Sequence, residues 1–530
     1  MKEERSKSNK WLVFAIISYF ILWTIRSLTN NLYIGSDVEY LTNRLAQIHK
    51  CFEDRIIPFF YYDDFNGVGY GSSFYYGGIT LYPFAIFKSD VAIKLFTLIV
   101  PILLIFSIRC FVSRLVDDED GKVNKITFII TQTEFLLNFI ATTGFYANIY
   151  GLVFGVLTLA FGIDFFRDNK PHSSFRLSIC FLLLLNTHLV TTVITSIGLI
   201  LICIYYFDKT RIKNYLNCFL YTLFISSYNI VNMIIHSGVV NNTDNINRAL
   251  IPNGVMSEFT FNVVPFQETV IRYATNSLTH NFTLIGSLQL VILIVVLVKC
   301  KDSIFQYKTN RKIIYLTICL VSVIIGVDLI WKSIFAFINI PIQFPIRYGL
   351  YLILFVFCLI CRRMDKRLLK VNLAYSMVCS IVFLVLLNVM NIVISDNRPY
   401  ASQIVNGEYL DKSFVYDTKE FEKNAQRVID VDTEKEYPYE IKKDKVVIDL
   451  TDNTSKVIQI PKLYYYGYIA YTEDKQQLDV SMGYSQFINV NVEGVNSQVV
   501  VYYRHPVILI ILLVFIGISL IYFSLYEFYL

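Results

Sequence analysis

Charge is scarce in this sequence: Asp, Glu, Lys and Arg make up 17% of 530 residues, against 55% hydrophobic ones. Such a balance excludes an ordinary soluble enzyme, and the length excludes a single-anchor protein. Histidine is scarcer still, with six in the chain, and no zinc-ligand spacing, P-loop or Rossmann glycine pattern occurs. The apolar runs lack the alternation of a barrel, which leaves helices as the spanning elements. A disulfide framework is excluded too. Cys110, Cys180, Cys203, Cys218, Cys300, Cys319, Cys358, Cys361 and Cys379 fall in or beside apolar segments or inner loops, so Cys51 is the lone external thiol expected. Cys358 and Cys361 form a CxxC without a second pair and read as packing.

What charge there is has a pattern. Lys and Arg gather in Lys2–Lys10, Arg114–Lys125, Arg167–Arg176, Lys209–Lys213, Lys299–Lys312 and Arg362–Lys370. The positive-inside rule places these segments in the cytoplasm, so the net +5 is a topology signal and not a nucleic-acid footprint. The basic flank and long apolar core at the N-terminus, without a small-residue cleavage site, predict an uncleaved first helix.

Helices are expected over residues 11–27, 91–116, 126–142, 149–166, 216–235, 284–298, 313–330, 348–361 and 371–394. Residues 177–207 form two short helices broken at Asn186-Thr187-His188, and 506–526 the last. The fold class expected is mainly α: a polytopic membrane bundle of about twelve helices, with a small extracytoplasmic β-sandwich near the C-terminus. The domains are 1–394, with a first outer loop at 28–90, then 395–505 and 506–530. In the second of these, 445–450, 456–460, 466–471, 486–492 and 498–503 alternate as strands, and Glu493-Gly494-Val495-Asn496 reads as a hairpin turn between the last two. Both termini are expected in the cytoplasm, with the loop and the sandwich outside.

The first outer loop holds most of the chemistry. Val38, Leu41, Leu45, Ile48 and Phe52 share one helical face. Asp37 precedes them as a helix cap or a general base, with Glu39 and Arg44 close by. Downstream, Asp63 and Asp64 adjoin, one solvated and one turned inward, and three glycines fall within five residues, Gly67, Gly69 and Gly71, in a tyrosine-rich run that includes Tyr70 and Tyr76. That segment is expected to pack on the membrane face or line a cleft, with 74–87 juxtamembrane or re-entrant. Elsewhere, His188 sits in the helix break, Arg347 opens a helix at its outer end and asks for an anionic partner, and Glu134 lies mid-helix.

The stretches GSDVEYLTNRL, NGVGYGSSFYYGGITLYP, NTH and QFPIR, in this order, resemble bacterial YfhO-like membrane proteins and those labelled 6-pyruvoyl-tetrahydropterin-synthase-related, of the GT-C glycosyltransferase superfamily. The resemblance implies a GT-C-like bundle using a polyprenyl-phosphate-linked sugar as donor, with Asp37 as the catalytic aspartate of the first outer loop. The family's histidine four residues later is replaced by Leu41, whereas the arginine seven residues later is present as Arg44. Arg347 matches the arginine of the QFPxR pattern. The function this implies is sugar transfer to a cell-envelope polymer or glycolipid on the outer membrane face. Arg44, Glu39, Asp63, Asp64, Tyr70, Tyr76, His188 and Arg347 would bind substrate among membrane lipids. No cofactor is named, and a divalent metal stays open. A transporter of lipid-linked sugars or ions, using Glu134, and a non-catalytic envelope assembly protein are the alternatives.

Overall fold

The computed structural model describes residues 2–28, 38–64, 67–133, 136–137, 140, 146–170, 172–236, 351, 354, 366–393, 421 and 423–529. Five helices among them are long and apolar enough to cross a membrane: Asn9–Leu28, Ser89–Leu115, Ala147–Phe166, Lys209–Ile235 and Val507–Leu525. The expected helices 284–298, 313–330 and 348–361 lie outside the described residues, apart from Tyr351 and Leu354. The chain divides into two compact units, Met1–Leu41 with Asp90–Thr222 and Arg248–Tyr400, and Thr42–Ser89 with Leu223–Asn247 and Ala401–Leu530.

The first unit is helical. It holds α1 (Lys2–Leu28), the start of α2 (Val38–Glu53), α3 (Ser89–Leu115), α4 (Lys122–Thr131), α5 (Tyr146–Phe166), α6 (Ser173–Thr187), α7 (Leu189–Tyr205), the first half of α8 (Ile212–Ile235) and α9 (Lys366–Val393). The helix expected over 126–142 is interrupted. Gln132 leaves helical geometry at φ −100° and ψ 19°, where the Thr131 and Thr133 hydroxyls donate back to the Phe128 and Ile130 carbonyls and compete with the helical ladder. There α1 is stitched on by polar side chains: Ser18 donates to Gln132 Oε1 at 3.0 Å, Tyr19 to the Thr131 carbonyl at 2.6 Å, and Arg26 to the Ile140 carbonyl at 3.0 Å. The end of α5 is fixed electrostatically. Buried Asp164 accepts from Arg114 at 2.8 Å and Lys170 at 2.6 Å, and Arg211 donates to the last carbonyls of α5, those of Phe165 and Phe166.

The second unit is built on two antiparallel five-stranded sheets. Its strands are β1 (Val428–Asp430), β2 (Glu436–Tyr437), β3 (Tyr439–Lys442), β4 (Lys445–Ile448), β5 (Val457–Leu463), β6 (Tyr468–Thr472), β7 (Gln477–Leu478), β8 (Val480–Met482), β9 (Phe487–Asn491) and β10 (Val499–Tyr503). One sheet runs β2-β1-β5-β9-β8 and the other β3-β4-β10-β6-β7. The expected hairpin at Glu493–Asn496 is therefore corrected. β9 pairs with β5 and β8 while β10 pairs with β4 and β6, so the turn carries the chain from one sheet to the other, with Gly494 at φ +77°. Alternating Val446, Ile448, Val499 and Val501 from one sheet meet Ile458, Ile460, Ile488 and Val490 from the other in a single buried cluster. Phe60, Tyr62, Val68, Tyr70 and Phe74 of the first loop belong to the same cluster. After β10 comes α10 (Val507–Tyr529).

Candidate functional site

In the second unit the first loop folds against α2 and the sheets. Leu45 and Ile48 bury the face of α2 that the periodicity marks, and Arg44, one position before Leu45, is buried with them, only 3% exposed. A guanidinium keeps its charge even when buried, so its surroundings must hold it. Its Nη2 donates to the Tyr76 carbonyl at 2.7 Å and the group lies 5.8 Å from the Tyr76 ring centre. The Tyr61 hydroxyl stands beside it; burial raises the pKa of that phenol, and the charge and hydrogen bond of Arg44 oppose the rise.

The two adjacent acids separate. Asp64 is buried and accepts from Asn43 Nδ2 at 2.5 Å, while half-exposed Asp63 pairs with Lys50. Tyr70 is a core residue: its backbone bridges to Tyr61 and its ring belongs to the sandwich cluster. Tyr76 stays half-buried over Arg44. A short helical turn at Gly71–Phe74 leads into the expected juxtamembrane stretch, which has further turns at Gly78–Thr80 and Tyr82–Ala85, with Ile79, Ile86 and Phe87 exposed. Gly71 is needed where it stands, because a Cβ there would lie 2.5 Å from the Tyr465 ring.

Two histidines that the sequence analysis did not single out close this end of the unit. Phe74 stacks on His236 at 3.7 Å, and Phe59 on His505 at 3.9 Å. His236 faces the carbonyls of Asn232 and Tyr466, and His505 Nε2 lies 3.3 Å from the Tyr228 hydroxyl. Burial, with His236 nearby, lowers the His505 pKa to about 4, and burial lowers that of His236 as well. Both rings are neutral near pH 7.

The first unit holds a separate polar column. His188 is the residue between α6 and α7, extended at φ −155°, and its Nδ1 accepts from the Thr191 amide at 3.2 Å and lies 2.7 Å from the Thr191 hydroxyl. Asn148 Nδ2 donates to that hydroxyl at 3.1 Å, which leaves the hydroxyl proton for His188. Nδ1 is thus an acceptor twice over, and the ring proton belongs on Nε2. One turn on, the Thr195 hydroxyl donates to the Thr191 carbonyl and meets Tyr351 at 2.7 Å. Gly155 admits this pair, since a Cβ there would sit 2.0 Å from the Tyr351 hydroxyl.

Asp37, Arg347 and Glu134 lie outside the described residues. α2 begins at Val38, the residue after Asp37, and Glu39 falls in its first turn. Among the described residues no group of three or more His, Cys, Asp or Glu comes together as a metal site. Compared with family models, with curated proteins and with solved structures, the chain matches none.

Proposed function

We propose that the protein is a membrane glycosyltransferase of the GT-C type, with about twelve spanning helices. It moves a sugar from a polyprenyl-phosphate donor to a cell-envelope acceptor on the outer face of the membrane. The observation that carries this reading is the buried Arg44, held by the Tyr76 carbonyl and ring on a helix that starts immediately after Asp37. A fixed guanidinium suits a phosphate, whose charge grows as it departs, because paired donors are already in place. In this mechanism Asp37 takes the acceptor hydroxyl proton as the oxygen attacks the anomeric carbon. The bond from that carbon to the phosphate oxygen breaks, and the electron pair leaves with the lipid phosphate, which Arg44 and Arg347 stabilise. Both chain ends are cytoplasmic in this arrangement, and the first loop and sandwich are outside. The buried column from Asn148 to Tyr351 favours a second reading, a transporter whose polar path lies among the helices.

The test is incorporation of radiolabelled sugar from polyprenyl-phosphate donors into envelope polymers by membranes carrying wild type, Asp37→Asn or Arg44→Gln. Loss in both variants at normal protein level is expected. Full incorporation by Asp37→Asn would sink the transferase reading and favour the transporter.

A further inference from the structure

Strand β5 shifts register between Ile460 and Leu463, and at this irregularity Lys462 is turned inward, only 2% exposed. Its ammonium donates to the Tyr62 carbonyl at 2.9 Å and to the Gly67 carbonyl. The next amide, of Leu463, donates to the Val68 carbonyl at 2.8 Å. Two consecutive residues of one strand therefore satisfy three carbonyls of the first loop. That loop is closed on itself: the Tyr70 amide donates to the Tyr61 carbonyl at 3.1 Å and the Gly69 amide to the Asp64 carbonyl at 2.9 Å. Gly67 and Gly69 make the closure with φ of +81° and +87°, where side chains are strained. An ammonium in a protein core is costly unless its protons are taken. An aliphatic side chain would fill the same space without that cost, so what the lysine supplies is its grip on the carbonyls.

We propose that Lys462 is a positioning residue: its Nζ, a donor to both carbonyls whether charged or neutral, sets the backbone of Tyr61–Asp64 and Gly67–Tyr70, and through it the Tyr61 ring beside Arg44 and the Asp64 carboxylate on Asn43. The inference stands on the geometry of the second unit and is independent of the sugar-transfer reading. Burial lowers its pKa to about 8; Lys50 adds to that lowering, and Asp63 and Asp444 oppose it. The docked loop thus binds this proton less tightly than the undocked loop, where the lysine is ordinary. Docking must then tighten as pH rises above 8, the reverse of what a simple salt latch would do.

The measurement is hydrogen exchange of amides 61–64 and 67–70 in the full chain in lipid nanodiscs at pH 7, 8 and 9, corrected for intrinsic rates. Wild-type protection is expected to rise about ten-fold from pH 7 to 9. In Lys462→Met it is lower by about ten-fold or more at pH 7 and independent of pH. In Lys462→Arg protection is retained and its pH dependence is gone, because a guanidinium does not titrate in this range. Wild-type protection in Lys462→Met overturns the proposal. If β10 amides show that this variant is unfolded, a pH rise persisting in Lys462→Arg overturns it instead.

Discussion

Acid should loosen the second unit through His505. The ring is 6% exposed, stacked on Phe59 and placed at the junction of β10 and α10. Its pKa is about 4 when folded, against about 6.5 for an unfolded histidine. The sign follows from proton binding. Above pH 6.5 neither state is protonated and the unit keeps its full stability; between 6.5 and 4 the unfolded state takes up a proton that the folded state refuses. Stability is lost through that window, by about 3 kcal/mol in all. The assay is hydrogen exchange of β5 and β10 amides from pH 7.5 to 4, in the full chain, wild type and His505→Gln. Glutamine keeps a donor and an acceptor and does not titrate, so the variant should lose most of the acid slope. His236 contributes in the same direction, and His236→Gln should remove a smaller share. If the double variant keeps the whole slope, the histidines are not its source and the reasoning fails.

The remaining expectations concern packing and charge. Phe60→Ala, which strips a ring lying within 6 Å of those of Phe74, Tyr465, Tyr468 and Tyr503, should cost about 3–5 kcal/mol, read as a lower denaturant midpoint for the β10 amides. Asp164→Ala leaves Arg114 without its buried partner and should destabilise the helical unit by about 3–5 kcal/mol, read as a lower melting temperature in detergent. Lys50→Met removes a half-exposed ion pair with Asp63 and should change stability by at most about 1 kcal/mol; a larger loss would mean that the pair also holds the loop.

The parts of the fold set by local pattern were legible. The break at His188, the amphipathic face of α2, the C-terminal helix and five strands were visible in apolar spacing and turn residues, because each depends on neighbours in sequence. β1 and the edge strands β2, β3, β7 and β8 were missed: they are two to four residues long, too short to show a period. The sheet change at Gly494 was misread because turn residues mark a reversal and not the sheet to which the next strand returns. The buried charges were legible in part. Arg347 was expected at a helix end because its charge breaks an apolar run, and Arg26, in the last turn of α1 and only 4% exposed, offers the same signal in the sequence. Lys462 gave no signal, since its burial depends on a loop about four hundred positions earlier.

That separation has a consequence for biogenesis. Lys462 and Tyr62 are 400 residues apart, and at about 5–20 residues per second the strand follows the loop by roughly 20–80 s. Throughout that interval Phe60, Tyr62, Tyr70 and Phe74 have no sandwich to bury them, and non-local contacts of this kind are formed late and slowly. The loop should therefore stay open to proteases until β10, the central strand of its sheet, has been made. Chymotrypsin applied to nascent chains of increasing length should cut at Phe59–Tyr76 in chains ending before residue 499 and spare that stretch in chains extending past the end of α10. Protection in a chain that stops before Val428, with neither sheet present, would mean that α2 and its loop fold alone and that the sandwich merely receives them.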